Sequence, residues 1–177
     1  MQTYDPGMPA KPRTPLVAAP STPAPHEPAA LVLRRFRLVF NAVKTHFKQV
    51  EKRAGVGGAQ VWALSVIQAH PGVGVGELAR AMDVHQTTAS NLVKTLVNNG
   101  LVAAEKNGAD RRAVQLRVLA AGTRVLCKAP GPFAGVLPEA LARLDRQTLL
   151  RLDADLARLI AELDADERAA GIPLAQL

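Results

Sequence analysis

Between Glu77 and Val118 the hydrophobic period of the chain changes from helical to two, which sharply narrows what this stretch can build. Glu77-Leu-Ala-Arg-Ala-Met82 reads as a short helix. Asp83-Val84-His85 separates it from a second helix, Gln86 to Asn98, with Ala89, Leu92, Val93, Leu96 and Val97 spaced for one buried stripe. Asn99-Gly100 supplies a left-handed cap. The period then falls to two. Leu101–Lys106 is one short strand, and the next alternates, with Val114, Leu116 and Val118 inward and Gln115 and Arg117 outward. Asn107-Gly108-Ala109-Asp110 between them is turn chemistry. The pair is a hairpin whose tip is polar and basic, with Lys106, Arg111 and Arg112.

Helices flank this centre. One begins at Pro28, a residue tolerated in a first turn. It carries Val32, Phe36, Val39, Phe40, Val43, Phe47 and Val50 at helical spacing, opposite Arg34, Arg35, Lys44, Lys48 and Lys52. Gly55, Gly57 and Gly58 end it. A helix from about Gln60 to Ala69 stops before Pro71 and is apolar nearly all round, so it is expected to be buried. Gly72 to Gly76 is a loop. After Ala120 the chain returns to helix until about Lys128, where Ala129-Pro130-Gly131-Pro132 breaks it. A last long helix starts near Asp145, a good N-cap, and carries Leu149, Leu152, Leu156, Leu159, Ile160 and Leu163.

The ends differ in character. Eight of the 13 prolines fall in the first 28 residues, which hold few large apolar side chains. Such a segment buries too little to offset its ordering entropy. The expected organisation is therefore a disordered Pro-rich tail at 1–28 and a helical region formed by 29–58 and 120–165. Residues 59–119 form the central unit, and 166–177 a flexible tail.

Charge separates along the chain in the same way. The whole carries +7, but residues 30–128 hold 15 basic against 5 acidic side chains, while 129–177 hold 5 against 8. A concentrated positive field favours a polyanionic partner. On the helix Gln86–Asn98 the face opposite the apolar stripe presents Gln86, Thr87, Ser90, Asn91 and Lys94, with Thr88 beside them. Hydrogen-bonding side chains of this length reach base edges in the major groove, where every base pair shows its own donor and acceptor pattern. The short helix before it braces it across the backbone. A basic hairpin alongside suits phosphate or minor-groove contact. Without that ordered set, a solvated helix face would be the simpler reading.

From about Val32 to Gly122 the chain resembles the multiple antibiotic resistance regulator (MarR) family of winged-helix transcription factors. The resemblance rests on Gly76-Glu-Leu-Ala-Arg-Ala-Met82, Thr87-Thr-Ala-Ser-Asn-Leu-Val-Lys-Thr-Leu96 and Asn99-Gly-Leu-Val102. Its most specific part is Asp110-Arg-Arg-Ala113, followed by Leu116 and Ala120-Ala-Gly122; Trp62-Ala-Leu64 fits the family's second helix. The resemblance implies a mainly α fold with a small β-hairpin wing: a winged helix-turn-helix flanked by N- and C-terminal dimerisation helices. It also implies a homodimer on a pseudo-palindromic double-stranded operator. The regulator would be a repressor released by a small, aromatic or anionic, effector. At the wing, Arg111 or Arg112 would reach the DNA, oriented by Asp110. A winged-helix adaptor for a protein partner is the alternative, and the basic centre of the chain favours DNA over it.

An effector pocket is expected where the first and second helices and the helix after the wing meet, since clefts at such junctions are preferred ligand sites. Phe40, His46, Trp62, His70 and Phe133 are the aromatic and imidazole groups near those segments, and basic residues of the first helix supply charge to an aromatic carboxylate. His85, just ahead of the Gln86 helix, is placed to cap it or touch a phosphate. Cys127, the single cysteine, excludes an intrachain disulfide framework and is expected as a buried thiol among Val125, Leu126 and Ala129. The four histidines lack metal-ligand spacing, and no metal or cofactor is expected. Gly72-Val-Gly-Val-Gly76 lacks the lysine of a phosphate loop. Neither a nucleophile triad nor a carboxylate pair stands out, so the chain is not expected to be an enzyme. No apolar run approaches a membrane span and no secretory pattern opens the chain, so a cytoplasmic protein without membrane contact is expected.

Overall fold

The computed structural model describes residues 27–107 and 110–176. Seven helices and one hairpin follow in the order α1 (Glu27–Ala54), α2 (Gly58–Ala69), α3 (Val75–Ala81), α4 (Gln86–Asn98), β1 (Val102–Asn107), β2 (Asp110–Val118), α5 (Ala120–Lys128), α6 (Val136–Ala142) and α7 (Arg146–Glu162). Two 3₁₀ turns, Glu167–Gly171 and Leu174–Gln176, close it. The mainly α winged-helix fold expected from the sequence is the one observed. The Pro-rich segment, apart from the start of α1, lies outside the described residues.

α2 is the hub. Val61, Ala63, Leu64 and Ile67 are buried and Trp62 and Val66 partly so, because this helix touches α1, α3, α4, α5 and β2. Leu78 and Met82 from the α3 turn, Leu96 from α4, and Val102 and Leu116 from the hairpin complete a dry centre around it. The hairpin is antiparallel, with Val102 opposite Val118 and Ala104 opposite Leu116. Leu116 also bonds the loop ahead of α3. Its carbonyl accepts from Gly72 N–H at 2.8 Å, and its N–H donates to the Val73 carbonyl at 3.1 Å. The base of the wing is thereby fixed to the helices rather than hanging from them.

The end of α4 shows why the chain turns into the wing where it does. Gly100 has φ +66°, and the N–H groups of Leu101 and Gly100 bond back to the carbonyls of Leu96 and Val97 at 2.9 Å each. This paired closure needs a left-handed residue, which glycine adopts without a steric penalty. Gly122 answers a different need: a Cβ there would run into the Leu101 carbonyl and Val118, so α5 packs directly on the start of the wing.

α1 is divided along its length. Val43, His46, Val50 and Ala54 are buried, whereas Leu31, Val32, Leu33, Leu38, Val39 and Phe40 are exposed. The first half of the helix extends past the body it belongs to. α7 goes further, with no buried residue at all. Asp145 caps it as expected, accepting from Thr148 N–H at 2.9 Å and from the Thr148 hydroxyl at 2.7 Å. Those bonds hold its carboxyl below the ordinary range.

Three features depart from the sequence reading. The break after Lys128 is followed by α6, seven residues with Pro138 in the first turn and too short to stand out beside the Pro-Gly-Pro break before it; none of them is buried. Cys127 is exposed rather than buried, because α5 turns Gly122 and Leu126 inward and Cys127 lies off that face. Residues 166–177 were expected as a flexible tail. Through residue 176 they instead form the two 3₁₀ turns, with Pro173 buried and the second turn against α1 and α2.

Candidate nucleic-acid interface

α3 and α4 meet through the tight turn expected at Asp83-Val84-His85. Asp83 takes φ +50°, a conformation its short polar side chain tolerates, and Val84 N–H donates to the Ala79 carbonyl at 3.0 Å. This turn drives Ala89, Leu92, Val93 and Leu96 into the core. What remains outside is a polar arc: Gln86, Thr87, Ser90, Asn91 and Lys94 are exposed, and at 3.6 residues per turn they span about 140° of the helix surface. Thr88 lies at the margin of the arc and is half-buried. Val97, counted in the apolar stripe, is 37% exposed at its edge.

The hydroxyls on this face have settled roles. Ser90 donates to the Gln86 carbonyl at 2.8 Å and Thr95 to the Asn91 carbonyl at 2.9 Å, so their oxygens are left chiefly as acceptors. Among the described residues, the side chains of Gln86, Asn91 and Lys94 make no bond within the chain, so both amides are available as donor and acceptor together.

Two shallow grooves run along either side of α3 and meet at Gln86. One is floored by Gly74, Val75 and Gly76 and walled by Val114 and Gln115; the other lies among Ala79, Arg80, Asp83 and His85. Arg80 and Gln115 thus flank the start of α4, which the sequence reading did not single out. The outward position of Gln115 on its strand and the charge of Arg80 in the last turn of the bracing helix were the available signals. In the wing, Asn107 pairs with Asp110, so the backbone of Asp110, Arg111 and Arg112 belongs to β2. The side chains of these three residues and of Lys106 lie outside the described residues. Glu105 and Arg117, lower on the hairpin, form an exposed pair at 3.9 Å, a weak contact in solvent.

His85 occupies the N-cap position of α4, yet its ring makes no cap. Nε2 sits 3.0 Å from the Arg168 carbonyl, an acceptor only, so this nitrogen carries the proton.

The effector candidates do not converge on one cavity. Trp62 lines a cleft of about 350 Å³ with Val43, Phe47, Met82, Val84, Leu137 and the C-terminal residues Ile172–Leu174; Asp83 is its one charged wall residue. Phe40 lines a separate groove of about 460 Å³, between Lys44 and Lys48 on α1 and Leu137 and Leu174 opposite. Phe47, absent from the expected set, forms part of both walls. His46 faces neither: it is buried, its Nε2–H donating to the Pro132 carbonyl at 3.0 Å and its ring against the edge of Phe47. That bond ties the α5–α6 break to α1. His70 is exposed at the end of α2, and Phe133 packs half-buried on the core. Among the described residues no group of three His, Cys, Asp or Glu side chains is arranged for a metal, and no helix is long and apolar enough to cross a membrane.

Residues 54–113, from the end of α1 into the wing, match the family model for the MarR family. The chain is 22% identical over 130 residues to the HTH-type transcriptional repressor MdtR of Bacillus subtilis, which covers 73% of this chain and 84% of that protein. Its fold is similar to the crystal structure of a MepR-like protein complexed with pseudoligands (TM-score 0.53, 17% identity, 78% of this chain and 94% of that one). It is also similar to the Staphylococcus aureus MepR–DNA complex (TM-score 0.52, 17% identity, 76% and 96%). With a braced polar helix and a hairpin pinned to its core, the chain has the winged-helix fold, and the segment that builds them, residues 54–113, is similar to the MarR family.

Proposed function

We propose that this protein is a homodimeric transcriptional regulator of the MarR type, which reads a pseudo-palindromic DNA operator and acts as a repressor released by a small aromatic or anionic ligand. The observation that carries the reading is the polar arc of α4, held outward by a fully packed α3–α4 pair beside a hairpin rooted in the same core. Gln86, Thr87, Ser90, Asn91 and Lys94 enter the major groove, with Thr88 at the edge of the contact. Asp110 orients Arg111 or Arg112 at the wing. The MdtR relative is named as a repressor, and MepR has been crystallised on DNA, which supports the same assignment here.

The test is selection of bound duplexes from a random-sequence pool by the chain and by its Gln86→Ala and Asn91→Ala variants. An amide that pairs bidentately with adenine is worth about 1–3 kcal/mol against the wrong base. Each variant is expected to lose preference at one position per half-site while keeping most of its general affinity. An unchanged consensus in both variants would place these amides away from the bases. Failure of the unaltered chain to enrich any sequence would remove the DNA reading itself.

For the effector, charge decides between the two cavities. The Trp62 cleft has one acid, Asp83, and no cation in its wall, whereas the groove on α1 sets two cations, Lys44 and Lys48 one turn apart, against one acid, Glu51, beside Phe40 and Phe47, a net positive wall. A small aromatic carboxylate suits the second, with its ring on the phenylalanines and its charge between the lysines. Titration of such acids is expected to change Trp62 fluorescence through the shared Phe47 wall and to release bound DNA. A 100-fold preference for the DNA-free state supplies about 2.7 kcal/mol of coupling. Lys44→Ala with Lys48→Ala should abolish the response to acids without affecting DNA binding in their absence. If the double variant responds like the parent, the groove is not the site.

A further inference from the structure

We propose that the C-terminal segment Asp166–Gln176 is a positioning strap for α4, holding the start of that helix through His85 and joining it to α7. The proposal rests on the DNA-binding reading above and concerns how the reading helix is held.

The segment is built to be rigid and anchored at both ends. After α7 the chain reverses at Asp164, which has φ +47°. Asp166 then clamps the first 3₁₀ turn: its carboxylate accepts from Arg168 N–H at 3.0 Å and from the Arg168 guanidinium at 3.0 Å on each oxygen. These bonds, the guanidinium foremost, hold its carboxyl below the ordinary range. At the far end Pro173 is buried, and Ala175 lies against Gly58 at the start of α2.

Between the anchors, the strap grips His85 three ways. The Arg168 carbonyl accepts from the ring Nε2–H at 3.0 Å. The Gly171 carbonyl accepts from the His85 backbone N–H at 3.3 Å. The imidazole itself lies so close over Gly171 that a Cβ at residue 171 would clash with ring atoms Cδ2, Nε2 and Cγ. His85 is the residue from which α4 starts, since its carbonyl receives the Ala89 N–H at 3.1 Å. Any movement of His85 therefore carries Gln86 and Thr87 with it. α7 buries nothing on the body of its own chain, so it is joined to the winged helix through α6 at one end and through this strap at the other. A helix on the dimer side and the reading helix are thus mechanically linked within a single chain.

The test compares the full chain, a chain ending at Ala165 and the full-length Gly171→Ala variant. The DNA is a duplex selected by the full chain from a random pool, set against a duplex of unrelated sequence. The shortened chain should keep its helix content and dimeric state, because among the described residues of the strap only Pro173 is buried. Its His85 amide should lose protection from hydrogen exchange. Affinity for the selected duplex should fall about tenfold, the scale of one to two lost hydrogen bonds, with no change on the unrelated duplex. Gly171→Ala should shift both readouts in the same direction. Equal or tighter binding of the selected duplex by both altered chains would overturn the strap, as would an equal loss on both duplexes. An unchanged His85 amide in the shortened chain would overturn it whatever the DNA result. If the full chain binds no duplex but His85 exchange responds as expected, the contact stands, and it is the DNA reading, with the strap's role in it, that falls.

Discussion

Raising the salt concentration from about 50 to about 200 mM is expected to weaken DNA binding by roughly 10³–10⁵-fold, the response of a protein that neutralises about 6–10 phosphates. The expectation follows from where the charge lies. Residues 30–128 hold a net +10 while 129–177 hold −3; seven of the 15 basic residues of 30–128 lie on α1 and six between residues 59 and 119, among them Lys94 on α4 and Lys106, Arg111 and Arg112 in the wing. Lys94, Lys106, Arg111 and Arg112, doubled in a dimer, supply the required number of contacts. Replacing Arg111 and Arg112 together by alanine should nearly abolish binding and flatten the remaining salt dependence. The change should leave thermal unfolding almost unaltered, since substitutions away from a core usually shift stability by less than about 0.5 kcal/mol. Gel shifts across a salt series, with a melting curve of the same samples, separate the two effects. A flat salt response in the unaltered chain would contradict the electrostatic footprint. Full affinity in the double variant would leave the wing without a role.

The second large effect concerns assembly. α7 and its C-cap expose Leu152, Leu159, Ile160 and Leu163, and the first half of α1 exposes Val32 and Val39, with Phe36 stacked on Phe40 at 6.2 Å. Contiguous exposed apolar surface of this extent commonly marks an interface. In the proposed homodimer a two-fold partner would cover it and set two copies of α4 about 34 Å apart, one turn of DNA. Leu152→Glu with Leu159→Glu should therefore convert a dimer to a monomer. At about 1.5–3 kcal/mol for each leucine withdrawn from water, four side chains across a symmetric interface contribute about 6–12 kcal/mol. Because α7 buries nothing within its own chain, the monomer should keep its fold and its helical signal while losing operator binding. Light scattering at micromolar concentration reads the first outcome and a gel shift the second. A monodisperse monomer before substitution, or an unaltered dimer after it, would show that these faces serve something else.

Much of this protein is legible in its sequence because the determinants are local. The boundaries of α4 follow from periodicity and from Gly100, whose left-handed backbone only a few residues tolerate. The alternation Val114, Leu116, Val118 gives the inward face of β2, and Asp145 starts α7 through its own side chain. Residues at short sequence separation carry all of that information. The polar arc of α4 is likewise the complement of its apolar stripe, so one implies the other.

Other features depend on contacts distant in sequence, and local pattern is silent about those. His46 is polar and sits on an amphipathic helix, yet it is buried because the Pro132 carbonyl, 86 residues away, satisfies it. Cys127 is flanked by apolar neighbours, yet it is exposed because the packing of Gly122 on Leu101 fixes how α5 is rotated. Phe47 reads as one more member of a stripe, and only the approach of α6 and the C-terminal residues makes it a wall between two cavities. The last residues carry Ile172, Leu174 and Leu177 without helical or strand periodicity, so local pattern gives no reason for them to be ordered. What orders them is His85, 83 positions earlier than its partner Arg168, together with the bare backbone of Gly171 that lets the ring approach. Sequence determines the elements because each helix or strand is specified by neighbours a turn away. Tertiary structure decides which side chains become sites, because burial and hydrogen bonding are settled by whichever distant segment arrives opposite.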